Sequence, residues 1–186
     1  MKNNTIAEAA IRVISRYGLR KTTMRDLAEE AGVSRQTLYN TYSNKDEVVR
    51  AAIRFSTDCG IEAVNAGWAN DQTLGQKLDR FFELGPVSWF DLIQSSPDAA
   101  DLIDGLNAAG SDELTQGATR WTQAIANILA HHKRELSRIG MTTSDLADFI
   151  YSSSSSAKYS AKSRAQLLRR LETLKASVLA LVGDSH

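Results

Sequence analysis

Residues 23–42, Thr-Met-Arg-Asp-Leu-Ala-Glu-Glu-Ala-Gly-Val-Ser-Arg-Gln-Thr-Leu-Tyr-Asn-Thr-Tyr, read as two short helices joined by a tight turn. Thr23 and Asp26 have capping-box spacing, in which the threonine hydroxyl accepts from the third helical amide and starts a helix. Met24, Leu27, Ala28 and Ala31 then fall on one apolar face. Gly32 supplies the left-handed residue that ends this helix, and Val33 can tuck back into a small core. Ser34 is placed to cap a second helix from Arg35 to about Tyr42, with Leu38 and Tyr42 inward at i, i+4 spacing. Its outward face carries Arg35, Gln36, Thr37, Tyr39, Asn40 and Thr41. Nearly all of these side chains donate hydrogen bonds, and an exposed helix with such a face suits the major groove of DNA.

Charge is distributed to match. The 186-residue chain is formally neutral, yet residues 1–50 carry nine basic side chains against six acidic ones, a net of +3 that leaves −3 for the rest. A basic end on a neutral chain points to a localised polyanion contact. The single cysteine, Cys59, has no partner for an intrachain disulfide, which suits a reducing compartment. With Phe55 and Ala63 on the same helix, it is expected to be a small core residue. There is no secretory h-region, and no apolar run approaches the ~18 residues of a membrane span. A soluble cytoplasmic protein with no membrane partner is therefore expected. His131, His132 and His186 lack zinc-ligand spacing, and no glycine-rich phosphate loop or nucleophile elbow occurs. Neither catalysis nor a cofactor or metal is expected.

Apolar residues recur at three and four along the whole chain and period-two alternation is missing, so an all-α fold of about nine helices is expected. The first helix covers about residues 4–17 and the fourth about 45–66. A fifth starts near Thr73 and is interrupted at Gly85-Pro86, because proline lacks an amide donor and clashes with the preceding turn. Ser96 and Pro97 open a sixth, holding Leu102, Ile103 and Leu106 and closing at Gly110. A seventh spans about residues 111–136. The eighth begins at Thr143 or Ser144 and enters the serine run 152–156. That run is either a flexible linker or a helix whose small residues admit a close neighbour; Tyr159, Ala161 and Lys162 favour helix. The ninth, about residues 163–182, sets Leu167, Leu171, Leu174, Val178 and Leu181 on a near-heptad stripe.

The segment Ala31-Gly32-Val33-Ser34, then Thr37-Leu38-Tyr39, Tyr42 and Asn44-Lys45, resembles the helix-turn-helix signature of TetR/AcrR-family transcriptional regulators. The likeness extends upstream through Ile6, Ala9, Ala10, Val13, Ile14, Tyr17 and Gly18, and downstream through residues 45–49, covering roughly residues 3–55. It implies a helix-turn-helix DNA-binding domain at 1–50 and a helical ligand-binding and dimerisation domain at 51–186. It further implies a homodimer on an inverted-repeat operator in double-stranded DNA, released by a small, largely apolar effector.

By the same resemblance, the second helix of the motif is the recognition helix. Arg35 and Gln36 in its first turn would meet base edges, arginine pairing best with guanine and glutamine with adenine. Thr37 would meet a thymine methyl or a phosphate. Tyr39, Lys45, Thr23 and Arg25 resemble the family's phosphate-binding positions, and Ser34 and Asn40 complete the candidate DNA face. The helices that enclose the family's ligand cavity correspond to those bearing Phe82, Trp89, Phe90, Trp121 and Phe149, which equally well fill a core. The family's dimer helices correspond to the last two, with Ile150, Ser153, Ala157, Leu167, Leu171, Leu174 and Val178 as candidate interface. From the stripe alone, the chain's own core is an equally good destination. The alternative function is a helix-turn-helix protein whose C-terminal part only dimerises or recruits a protein, without a small molecule.

Overall fold

The computed structural model describes residues 2–71, 73–96 and 99–183. Among the described residues it is all α, with no strand. The helices are α1 (Lys2–Tyr17), α2 (Met24–Glu30), α3 (Arg35–Thr41), α4 (Lys45–Trp68), α5 (Leu74–Phe82), α6 (Ser88–Ser95), α7 (Ala99–Ile128), α8 (Lys133–Arg138), α9 (Thr143–Ser160) and α10 (Arg164–Val182). They form two compact units: Met1–Cys59 with Leu92–Gly117, and Gly60–Asp91 with Ala118–His186.

The first unit is built around α1. Ile6, Ala10, Val13 and Ile14 meet Leu27 and Ala28 of α2, Leu38 of α3 and Val48, Val49, Ala52 and Ile53 of α4, all buried. Ile93 and the partly buried Ile103, Leu106 and Leu114 extend this core onto α6 and the first part of α7. Close approach there depends on missing side chains. A Cβ at Gly105 would overlap the Leu19 side chain, and one at Gly110 would overlap Ile53. Gly110 also breaks the helix, with φ −133° and ψ 21°, so α7 is two helices joined at a kink. This is the stop the sequence marks. The kink frees backbone carbonyls, and Arg50 donates to that of Ala109 at 3.1 Å. Four residues further along α4, Arg54 forms a two-pronged ion pair with Glu113, whose side chain is 7% exposed against 57% for the arginine.

In the second unit, α5 opens on a capping box of Thr73 and Gln76. Glu83–Val87 is a π-helical turn containing Pro86. The wider turn accommodates a residue with no amide to donate, so the interruption at Gly85-Pro86 is a bulge rather than a gap. Phe81, Ile125, Leu129, Leu136, Leu146, Ile150, Leu167 and Val178 are the centre of this core, and α10 packs on α9, α5 and α8. The serine run lies inside α9, and Ser154 is buried, so the linker reading is set aside.

Several expectations need correction. The helix expected over 111–136 stops at Ile128, and a short 3-10 turn, Ala130–His132, leads into α8. Neither glycine nor proline marks this break. Cys59 and Ala63 are exposed on α4 rather than in the core. Helix α4 runs on to Trp68, whose indole donates to the Lys77 carbonyl at 2.8 Å. Pro97, expected at a first helical position, lies outside the described residues, as does the side chain of Leu102.

Removing the guanidinium from Arg54 takes away the two-pronged ion pair of the nearly buried Glu113 carboxylate. Because more than half of the arginine faces water, Arg54→Met should lower unfolding free energy by only about 1–2 kcal/mol. Urea denaturation of the two proteins measures this; an unchanged midpoint would mean that the pair does not hold α7 to α4.

Candidate nucleic-acid interface

The α2–turn–α3 segment forms as its residues dictate. The Thr23 hydroxyl accepts from the Asp26 amide at 3.3 Å, and the Asp26 carboxylate accepts from the Thr23 amide at 2.9 Å, closing the capping box. The Thr23 hydroxyl also donates to the same carboxylate at 2.7 Å, and this bond, followed by that from the Thr23 amide, holds the Asp26 carboxyl below its usual pKa. Gly32 has φ 64°, a left-handed conformation that disfavours any Cβ, and the Val33 amide returns to the Ala28 carbonyl at 3.0 Å. The Ser34 hydroxyl accepts from the Thr37 amide at 3.0 Å and starts α3. Leu38 is 0% exposed and pins the helix down from below.

The opposite face stays in water. Arg35, Gln36, Tyr39, Asn40 and Thr41 are exposed and Thr37 half-buried. Some of their polar groups are engaged within the helix. Gln36 Nε2 donates to Asn40 Oδ1 at 2.8 Å, Thr41 Oγ1 donates to the Thr37 carbonyl at 3.0 Å, and the Ser34 and Thr37 hydroxyls lie 2.8 Å apart. The Gln36–Asn40 bond braces two side chains one turn apart. Arg25 at the start of α2 is exposed, as is the capping Thr23. Lys45 is half-buried: its ammonium donates to the carbonyls of Leu19 at 3.0 Å and Thr22 at 3.3 Å. An ammonium has three donors, so one N–H remains for a further acceptor.

This segment matches a known family. Residues 6–52 match the model of bacterial regulatory proteins of the tetR family. The match covers the helix-turn-helix head and its flanking helices, so residues 6–52 are similar to the DNA-binding part of that family. The uncharacterized HTH-type transcriptional regulator YvkB of Bacillus subtilis is 23% identical over 141 residues, covering 75% of this chain and 69% of that protein. Another from the same bacterium, YfiR, is 30% identical over 98 residues, covering 53% of this chain and 44% of its own. In structure, a Rhodococcus sp. protein described as a TetR-family transcriptional regulator superposes with a TM-score of 0.72 at 19% identity, covering 97% of this chain and 98% of that one, and so shares the fold. Both Bacillus relatives are described as HTH-type transcriptional regulators.

Outside the helix-turn-helix head, the candidate residues divide. Phe82, Phe90 and Trp121 are buried together in the second core, where Phe81 stands 5.5 Å from Phe82 and 5.4 Å from Trp121 between ring centroids. Trp89 is half-buried, and Phe149, at 50% exposed, faces away from this cluster on the surface of α9. Phe81, inward by the periodicity of the fifth helix, belongs with these buried aromatics as well. Of the expected dimer contacts, Ile150, Leu167, Leu171, Leu174 and Val178 are spent on the unit's own core, each 8% exposed or less. The stripe is internal up to Val178 because α10 needs its apolar side to pack on α9 and α5, whereas Leu181, the last residue of the stripe, is exposed. Ser153 and Ala157 retain partial exposure. They line a groove of about 720 Å³ with Phe149, Ser156 and Ser177, whose floor is Leu171 and Leu174.

Two substitutions separate the anchoring of α3 from its outward face. Ser34→Ala should cost roughly 0.5–2 kcal/mol through the lost cap, and Leu38→Ala about 2–5 kcal/mol through the cavity it leaves. Thermal melts of both variants test this order; equal losses would mean that Leu38 does not anchor the helix.

Proposed function

We propose that this regulator is a repressor whose α3 enters the major groove of an inverted-repeat operator in double-stranded DNA, one copy per half-site. The observation that carries this reading is a seven-residue helix capped by Ser34, anchored by Leu38 and exposed along a donor-rich side. Arg35 and Gln36 read base edges, and Thr37 and Asn40 contact the groove wall. Thr23, Arg25, Ser34, Tyr39 and Lys45 position the head on phosphates. Residues 1–50 are the DNA-binding domain and 51–186 the ligand-binding and dimerisation domain. Arg35→Ala should lose roughly 1–3 kcal/mol of discrimination at one base position per half-site. Arg25→Ala should weaken all sequences alike and flatten the salt dependence. Gel shifts on a selected operator and on single-base variants check both; an Arg35→Ala protein with unchanged base preference would remove α3 from the groove.

The reading includes a homodimer, because an inverted repeat needs two heads related by a two-fold axis. The groove between α9 and α10 supports it: small side chains at Ser153, Ser156, Ala157 and Ser177 let a second helix pair approach closely. Leu171 and Val178, being internal, would report on folding and not on assembly. Ser153→Arg with Ser177→Arg should give a folded monomer with weak operator binding, measured by light scattering and gel shift. A wild-type monomer at micromolar concentration would end the dimer reading.

The effector is a small, largely apolar molecule received by the aromatic part of the second unit, where Phe82, Phe90 and Trp121 gather and the half-buried Trp89 adjoins Phe90 in sequence. Its binding must favour one of two head arrangements, since equal affinity for both would shift nothing. Phe149 is left out of this group because of its exposure.

A further inference from the structure

Lys158 is an unusual cation. It sits on α9 with its ammonium over two aromatic rings, 4.4 Å from the centroid of Tyr159 and 5.6 Å from that of Trp89 on α6. Among the described residues no carboxylate pairs with it. The acid on α6, Asp91, is held by Arg164 at 3.2 Å. Burial is the sole cause that lowers the Lys158 pKa, to about 8. Tyr151, two helical turns before Lys158 and on the same side of α9, is half-buried. Its phenol and that of Tyr159 are raised, each chiefly by burial, so both remain protonated donors at neutral pH.

The ammonium is compensated by ring faces rather than by a carboxylate. A largely dehydrated ammonium gains from ring faces only part of what it loses in water, and the compensation that normally accompanies a buried charge is an anion. The groups gathered here are one cation, two O–H donors and two aromatic faces, with no acceptor of matching charge. The rings also specify shape: Trp89 is half-buried and Tyr159 is 49% exposed, so both present π surface to an arriving molecule. A planar apolar body would stack on them while its anionic end meets the ammonium.

We propose that Lys158, Trp89, Tyr151 and Tyr159 form the receiving site for an aromatic monocarboxylate. The carboxylate accepts from the Lys158 ammonium and from a tyrosine hydroxyl, and the ring lies against Trp89. This deepens the effector reading, with which it shares Trp89, by giving the effector a charge and a polar anchor. It does not need the buried Phe82, Phe90 or Trp121 to open.

The test is calorimetric titration of the full-length chain with 1-naphthoate and with the uncharged 1-naphthamide, alongside gel shifts on operator DNA. The site predicts naphthoate affinity at least tenfold above that of the amide. Lys158→Gln should lose at least tenfold of the naphthoate affinity and leave that of the amide unchanged. Lys158→Arg should keep most of it, and Lys162→Gln, on the exposed turn after α9, should match wild type. Circular dichroism establishes that each variant is folded. Equal naphthoate affinity in wild type and Lys158→Gln overturns the site, as does no naphthoate binding at millimolar concentration to folded protein. If the amide binds as well as the acid and releases DNA, the apolar effector reading stands and the carboxylate site falls. If naphthoate binds through Lys158 with no change in operator affinity, the site stands and its role as effector site falls.

Discussion

Helix α3 is seven residues long, and a helix of that length does not persist alone in water, because nucleation costs more than so few hydrogen bonds return. Everything the reading face can do therefore depends on the side it hides. Leu38 is fully buried against a core supplied by α1, α2 and α4, and the Ser34 cap satisfies an amide that would otherwise be orphaned. The result is a short, stiff element with one side fixed and the other free. A face presented from such an element can meet base edges without ordering itself at the moment of contact, which spares affinity that a flexible loop would lose.

The same logic explains why the first unit includes a segment so distant in sequence. The head is small, and a core of that size gains from extra apolar cover. Residues 92–117 supply it, with Ile93, Ile103, Leu106 and Leu114 added to the α1 core. Glycines at 105 and 110 remove the side chains that would keep α7 away from Leu19 and Ile53. Arg50 and Arg54, one helical turn apart on α4, then fasten the kinked segment at Ala109 and Glu113.

Much of this was legible in the sequence, for reasons that differ by region. Around residues 23–42, capping, periodicity and the glycine turn all point the same way, so boundaries as well as elements can be read. Gly110 and Gly85-Pro86 announce their kink and bulge by residue type alone. The break after Ile128 carries no such residue, since the chain turns there without needing glycine or proline. The leucine stripe of α10 shows the limit of periodicity: it reveals that one side is apolar but not whether the cover is α9 or a second copy. For Leu167, Leu171, Leu174 and Val178 the cover is internal, and the outward surface carries serines instead. Phe149 failed similarly, because an aromatic beside Ile150 is inward by pattern only within half a turn. Lys158 drew no reading from the sequence, although residues 151, 155 and 158 share one flank of α9. Its lack of an anion is a tertiary fact.

The central claim is that α3 lies in the major groove. Dimethyl sulfate distinguishes the two grooves directly, since it methylates guanine N7 on the major-groove side and adenine N3 on the minor-groove side. On a DNA selected by this protein from a random pool, the account predicts guanine N7 protection in two symmetric clusters, about one helical turn apart or a multiple of it. Protection confined to adenine N3, or a selected pool with no shared sequence, would contradict it.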